Sequence, residues 1–177
     1  MKIKTVAEQN VNDINVYNIN VNDRVEVELK DGNILEMMVV KKSDDNKSAT
    51  LITVDCLTNS YTRKDDSWME YLRENLPSDI LNHVVVFRLP TEKEIFGVNN
   101  YGMPEDNNVE QFECMKDRRN RIAFRNKKWE WYWLENAYKE RNGEASTAGF
   151  CGVGDGGYSG YGGAGDSYGV RPLLEIQ

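Results

Sequence analysis

Residues 129–134 read Trp129-Glu130-Trp131-Tyr132-Trp133-Leu134. Strand alternation puts Trp129, Trp131 and Trp133 on one side. Three indoles on one face form either the centre of a core or an exposed, adhesive stripe. We expect a core, with one indole reaching the surface. A basic run stands just upstream: Lys116, Arg118, Arg119, Arg121, Arg125, Lys127 and Lys128. Charge beside aromatic rings is the chemistry of single-stranded nucleic-acid binding. The chain as a whole carries 22 basic and 29 acidic side chains, a net charge of −7, which disfavours nucleic acid and anionic membranes. The basic run therefore reads as a solvated loop, with Arg118 or Arg119 paired to acids such as Asp117.

Downstream, Gly152 to Gly169 reads Gly-Val-Gly-Asp-Gly-Gly-Tyr-Ser-Gly-Tyr-Gly-Gly-Ala-Gly-Asp-Ser-Tyr-Gly. The glycines are uneven: before Gly143 the chain has only Gly32, Gly97 and Gly102. The body is ordinary and the end holds a specialised loop. Tyr158, Tyr161 and Tyr168 are spaced by glycines and flanked by Asp155, Ser159, Asp166 and Ser167. Tyrosine supplies a large contact area with few rotors, while serine and glycine adapt, as in a paratope. The alternative is a flexible loop whose tyrosines pack back on a sheet. Candidate ligand-binding residues are Tyr158, Tyr161, Tyr168, Asp155, Asp166, Asn136 and Tyr138. Gly154-Asp155-Gly156-Gly157 is not a phosphate cradle, because no Gly-Lys-Ser/Thr follows. Asp155 and Asp166 are hard ligands suited to calcium, but two acids are too few. We expect no metal and no cofactor.

Working back toward the start, Arg24 to Leu29 alternates apolar and charged residues. Asp31-Gly32 signals a hairpin turn, and Ile34 to Val40 returns. Ala49 to Asp55 and Val84 to Leu89 read as further strands, and Gly169 to Ile176 as a closing one. Ser67 with Glu70, and Thr91 with Glu94, have capping-box spacing. The first opens a helix with Trp68, Tyr71, Leu72 and Leu76 on one face. The second opens a short helix closed by Gly97. Residues 98–113 read as a loop. Strands, two short helices and strands separated by long loops make an α+β fold rather than β-α-β alternation.

The 177 residues suffice for one domain with a short arm. Residues 10–23 alternate apolar residues with asparagine, and Asn-Val-Asn-Asp occurs twice. We place an extended N-terminal arm at 1–23 and one domain at 24–177. The arm pairs with a neighbour or a sheet edge, or it is simply a polar strand or loop of the domain. No stretch is apolar enough to span a bilayer, and the start lacks the apolar run of a secretory signal. Cys56, Cys114 and Cys151 are widely spaced and read as reduced, mostly buried thiols. His83 is the only histidine, which disfavours Ser-His-Asp catalysis and His-rich metal sites; it reads as a helix-end or surface residue. Arg171 reads as a buried arginine fixing the base of the loop, which needs an acidic partner.

Three segments carry a resemblance. They are Val86-Phe87-Arg88-Leu89-Pro90-Thr91-Glu92-Lys93-Glu94-Ile95-Phe96-Gly97, Trp131-Tyr132-Trp133-Leu134, and Gly169-Val170-Arg171-Pro172-Leu173-Leu174. In this order they resemble an uncharacterised family of bacterial and phage domains with a C-type-lectin-like fold. That family has a strand and short helix ending in Phe-Gly, then a Trp-Trp-Leu-Arg-Ser-type strand, a variable Gly/Asn/Ser/Tyr loop, and Gly-Val-Arg-Pro-Ala. The resemblance covers residues 24–177 by motif order. Glu135-Asn136 stand where the family has Arg-Ser, and residues 10–23 have no counterpart.

The resemblance implies a binding scaffold, since relatives include phage receptor-binding proteins and the variable proteins of diversity-generating retroelements. Formylglycine-generating enzymes share the fold, but they need a close pair of reactive cysteines. The expected function is thus non-enzymatic: a phage virion accessory component of capsid, tail or fibre, made in the host cytoplasm. Its Gly/Tyr loop would meet a protein or a cell-surface glycan, and its arm would dock on other virion proteins. Membrane insertion and nucleic acid are not expected, and a homo-oligomer stays open. The alternative is a cytoplasmic phage-encoded inhibitor whose acidic surface imitates nucleic acid.

Overall fold

A computed structural model describes residues 2–3, 9–10 and 16–177. In chain order its strands are β1 (Lys2–Ile3), β2 (Gln9–Asn10), β3 (Arg24–Glu28), β4 (Ile34–Lys42), β5 (Ala49–Thr53), β6 (Tyr61–Thr62), β7 (Val84–Arg88), β8 (Ala123–Arg125), β9 (Lys128–Glu130), β10 (Tyr132–Lys139), β11 (Ala145–Val153), β12 (Ser159–Gly163), β13 (Ser167–Tyr168) and β14 (Leu173–Ile176). The helices are α1 (Ser67–Asn75), α2 (Ser78–Leu81), α3 (Glu92–Phe96) and α4 (Arg118–Arg121). The fold is α+β with antiparallel sheets and short helices, as expected. Two of the helices, α2 and α4, are single turns that carry no periodic signal, and the sequence shows only the other two. Among the described residues no helix is long and apolar enough to cross a membrane.

The chain divides into two compact units whose segments interleave. Unit 1 comprises Met1–Val54, Ser67–Arg88 and Pro172–Gln177. Its sheet runs β2-β1-β3-β4-β5-β14-β7. The Asp31-Gly32 turn joins β3 to β4, with Gly32 at a φ of 88° that its lack of a side chain permits. Val25 then faces Met37, and Val27 faces Leu35. Alternation buries Val25, Val27 and Leu29, and β5 is buried at every position. Helix α1 turns Trp68 and Leu72 inward. Its Tyr71 hydroxyl donates to the Asp31 carboxylate at 2.7 Å, and Arg73 lies over the Phe87 ring. His83 is exposed after α2, with Nδ1 2.9 Å from the Gln177 carbonyl oxygen.

The extended reading of residues 10–23 gives way where the structure describes them. Val16–Asn18 is a 3-10 turn, and Val16 and Ile19 are buried while Val21 is exposed. Three asparagine-flanked apolar residues served two hydrophobic contacts and not a strand face. Backbone pairing of Lys2–Ile3 with β3 is described; residues 1, 4–8 and 11–15 of the expected arm lie outside the described residues. Residues 16–54 belong to unit 1 together, with no border at 24.

Unit 2 comprises Asp55–Asp66 and Leu89–Arg171. Its main sheet is the meander β10-β11-β12, with β13 paired to β6 and β8 to β9. Trp133 is wholly buried, and its Nε1 donates to the Tyr61 carbonyl oxygen at 2.8 Å. Tyr132 is buried beside it, its hydroxyl donating to Arg121 O at 2.7 Å. Arg171 is 2% exposed and donates to that hydroxyl and to Asn120 O. The three indoles do not share one environment. Residue 131 lies between β9 and β10, so the alternation breaks there. Trp133 is core, Trp131 is half-buried, and Trp129 is 64% exposed at the β8–β9 hairpin. The basic run is likewise structured rather than a loop, as α4 and this hairpin. Arg119 pairs with Asp117 at 2.8 Å, as the sequence suggested.

Candidate functional site

The site is built on the first turn of α3. Thr91 and Glu94 form a complete capping box: Thr91 Oγ1 accepts from Glu94 N, and Glu94 Oε2 accepts from Thr91 N. Glu92, the first residue after Thr91, is fully buried. Its carboxylate accepts from the backbone N–H groups of Tyr101 and Gly102, each at 3.0 Å, and from Ser159 Oγ at 3.3 Å. A buried carboxylate is costly unless donors surround it, and charge-assisted bonds to backbone N–H are among the stronger ones.

Asn136 completes this hub. Its Oδ1 accepts from Glu92 N at 2.7 Å, and its Nδ2 donates to Met103 O and to Glu105 Oε2. Glu105 Oε2 also accepts from Lys93 N and from Asn99. Gly102 passes through the hub with no room for a side chain: a Cβ there would fall 2.8 Å from Asn136 Cβ and 2.9 Å from Cys151 Sγ. The hub thus fixes the backbone of Tyr101 and the hydroxyl of Ser159. Around these two residues lies a cleft of about 460 Å³, lined by Phe96, Asn100, Tyr101, Arg121, Tyr158 and Ser159.

The Gly/Tyr stretch is ordered, not a free loop. Residues 154–157 turn, β12 runs back along β11 with Cys151 opposite Tyr161, and Asp166 Oδ2 accepts from Gly163 N at the next turn. Many glycines here make room for rings: a Cβ at Gly160 would fall 2.7 Å from Trp131, and one at Gly162 2.6 Å from Tyr168.

The seven residues singled out from the sequence have different surroundings. Tyr158 is 65% exposed, with the Arg118 guanidinium 5.0 Å over its ring. Tyr161 is 50% exposed and packs against Tyr138 at 4.4 Å and Tyr101 at 5.1 Å. The structure therefore brings Tyr138 and Tyr161 together, and Tyr101 links them to the cleft where Tyr158 stands. Tyr168 is turned inward between Trp133 and Trp131, with ring centroids 4.4 and 5.5 Å away. Burial, and then the neighbouring Asp166, push its hydroxyl above the usual tyrosine range. Asp155 is exposed at its turn. Asn136 is buried in the hub. Among the described residues no three His, Cys, Asp or Glu side chains gather as a metal cluster.

The cysteines are separate. Burial pushes the Cys56 thiol up to about 12. Burial, then Glu92, push Cys151 up further in the same direction. Such thiols carry little thiolate at neutral pH and are poor nucleophiles.

Sequence reasoning missed Glu92, Glu105, Tyr101 and Arg121. Glu92 was hidden inside a capping box, where an acid is ordinary. Tyr101 and Glu105 sit in an aperiodic stretch, and Arg121 looked like one more cation in a basic run. The chain matches no protein-family model, no curated protein and no solved structure.

Proposed function

We propose that this chain is a non-enzymatic recognition module of C-type-lectin-like fold, and that unit 2 carries its contact surface. Exposed tyrosines held on an ordered strand carry the reading. Tyr158 and Tyr161 offer ring surface to solvent, yet β12 is paired along its length to β11 and Tyr161 rests on two further rings. A rigid aromatic anchor loses little entropy on binding, so its burial is converted efficiently into affinity. Protonated thiols and a Glu92 carboxylate occupied by structural donors support binding over catalysis.

The setting we propose is a phage particle, with the partner a protein or glycan at a cell surface. The test is binding of the purified chain to bacterial surface preparations. Replacing both Tyr158 and Tyr161 with alanine should weaken binding about tenfold or more, as loss of two aromatic anchors does. Full binding by the double variant would overturn the reading. So would recovery of the chain only in the cytosol, bound to a single host enzyme.

A further inference from the structure

We infer that the cleft at Arg121 is a subsite for a compact organic oxyanion: a carboxylate or phosphate carried on a flat ring. The inference rests on the recognition reading of the same face and adds the chemistry of what is recognised.

The argument begins with ion pairing. Three other arginines of unit 2 meet an acid: Arg63 with Glu135 at 3.8 Å, Arg119 with Asp117 at 2.8 Å, Arg125 with Glu130 at 2.7 Å. Arg121 forms no ion pair among the described residues, and Arg118 feels the Asp117 carboxylate only at longer range. Arg121 is half-buried, with its guanidinium 5.2 Å over the Phe96 ring and its Nε sealed from solvent without an acceptor. Arg118 lies over Tyr158 and donates only to the Gly156 carbonyl oxygen, at 2.7 Å. In a chain with a net charge of −7, the Arg121 guanidinium in the cleft wall forms no ion pair among the described residues.

Glu92 does not line the cleft but lies behind Ser159, which does. Its oxygens are taken by two backbone N–H groups and the Ser159 hydroxyl. It forms no ion pair with Arg121 among the described residues. A guanidinium is planar, presents forked donors, and matches an oxyanion better than an ammonium does. The rest of the wall suits a flat ring. Tyr101 and Tyr158 present exposed aromatic surface, and Asn100 and Ser159 add polar edges. At about 460 Å³ the cleft has room for a small ring compound, which it would hold in an open groove rather than enclose.

The test is calorimetric titration of the full chain with benzoate, with phenyl phosphate and with uncharged benzamide. At least one anion should saturate the cleft, with benzamide about tenfold weaker or more, the worth of a charge-assisted hydrogen-bonded pair. Arg121→Gln should lose that preference. Arg119→Gln, whose side chain is paired with Asp117 outside the cleft, should keep it. Arg121→Lys retains the cation without the planar fork and should fall between. In the unaltered chain the Arg121 Nε–H resonance should shift on adding the anion, a readout independent of any variant. Whether benzoate or phenyl phosphate binds tighter separates carboxylate from phosphate. Equal binding of benzamide, unchanged binding by Arg121→Gln, or no saturation and no shift with either anion overturns the subsite. None of these touches the recognition reading, which stands or falls on surface binding by the Tyr158/Tyr161 double variant.

Discussion

Gly160 shows what a single residue contributes here. The ring of Trp131 lies where its side chain would be, with Cζ3 2.7 Å and Cη2 2.9 Å from an added Cβ. An indole clamped under a hairpin cannot retreat from that overlap without moving its own neighbours, which include Tyr168. Gly160→Ala should therefore destabilise the protein by about 1–3 kcal/mol, the usual range for overpacking a filled site. Gly165 belongs to the same stretch but has nothing within 4 Å of its Cβ position. Gly165→Ala should stay within about 0.5 kcal/mol of the parent. Urea unfolding followed by tryptophan fluorescence compares the two, and equal midpoints would refute the packing role. The sequence displayed the abundance of glycine but not this division of labour. Which glycine faces a ring depends on strand register, and register was set by pairing that no local pattern reveals.

At the scale of elements, the first turn of α3 carries two jobs in four residues. The capping box was legible because Thr91 and Glu94 interact at fixed local spacing. The Glu92 hub was not, because its donors come from residues 101, 102 and 159 and are brought together only by the fold. Asn136 was selected from the sequence as a ligand contact, and the structure places it inside this hub. Glu92→Gln keeps the shape but turns an amide nitrogen toward backbone N–H groups. One or more buried donors would lose their acceptor, at a cost of about 1–3 kcal/mol. Amide hydrogen exchange at Tyr101 and Gly102 should quicken more than exchange in β4. Unchanged protection at both residues would show that the hub does not hold the cleft wall. Elsewhere the hairpin β3–β4 was read correctly, because Asp31-Gly32 and strict alternation are local signals. The Gly/Tyr stretch was read as a loop because glycine hides strand propensity, although β12 is paired throughout.

Across the whole molecule, long-range pairing decided what the sequence kept hidden. The last strand, β14, enters the unit 1 sheet between β5 and β7, so the chain's end completes a core begun near its start. Closing such distant contacts leaves no periodic trace in the residues between. Unit 2 holds the thiols and phenols whose pKa is raised, and this gives it an alkaline pH signature. Burial raises Cys56 from 9.0 to about 12 in the folded state. Cys114, Cys151 and Tyr132 are raised in the same direction, each mainly by burial. A raised acid holds its proton in the folded chain after the unfolded chain has released it. Its contribution to stability is thus complete below pH 9.0 and is lost as pH climbs toward about 12. As far as these groups decide it, the melting temperature should be level from neutral pH up to 9.0 and fall above it. Cys56→Ala removes one of these raised groups, so its curve should fall less steeply, even if its neutral-pH stability is lower. Identical alkaline slopes for parent and Cys56→Ala would mean that the Cys56 thiol ionises as freely in the folded protein as in the unfolded one, and that the sulfur is not sealed where Gly169 leaves it space.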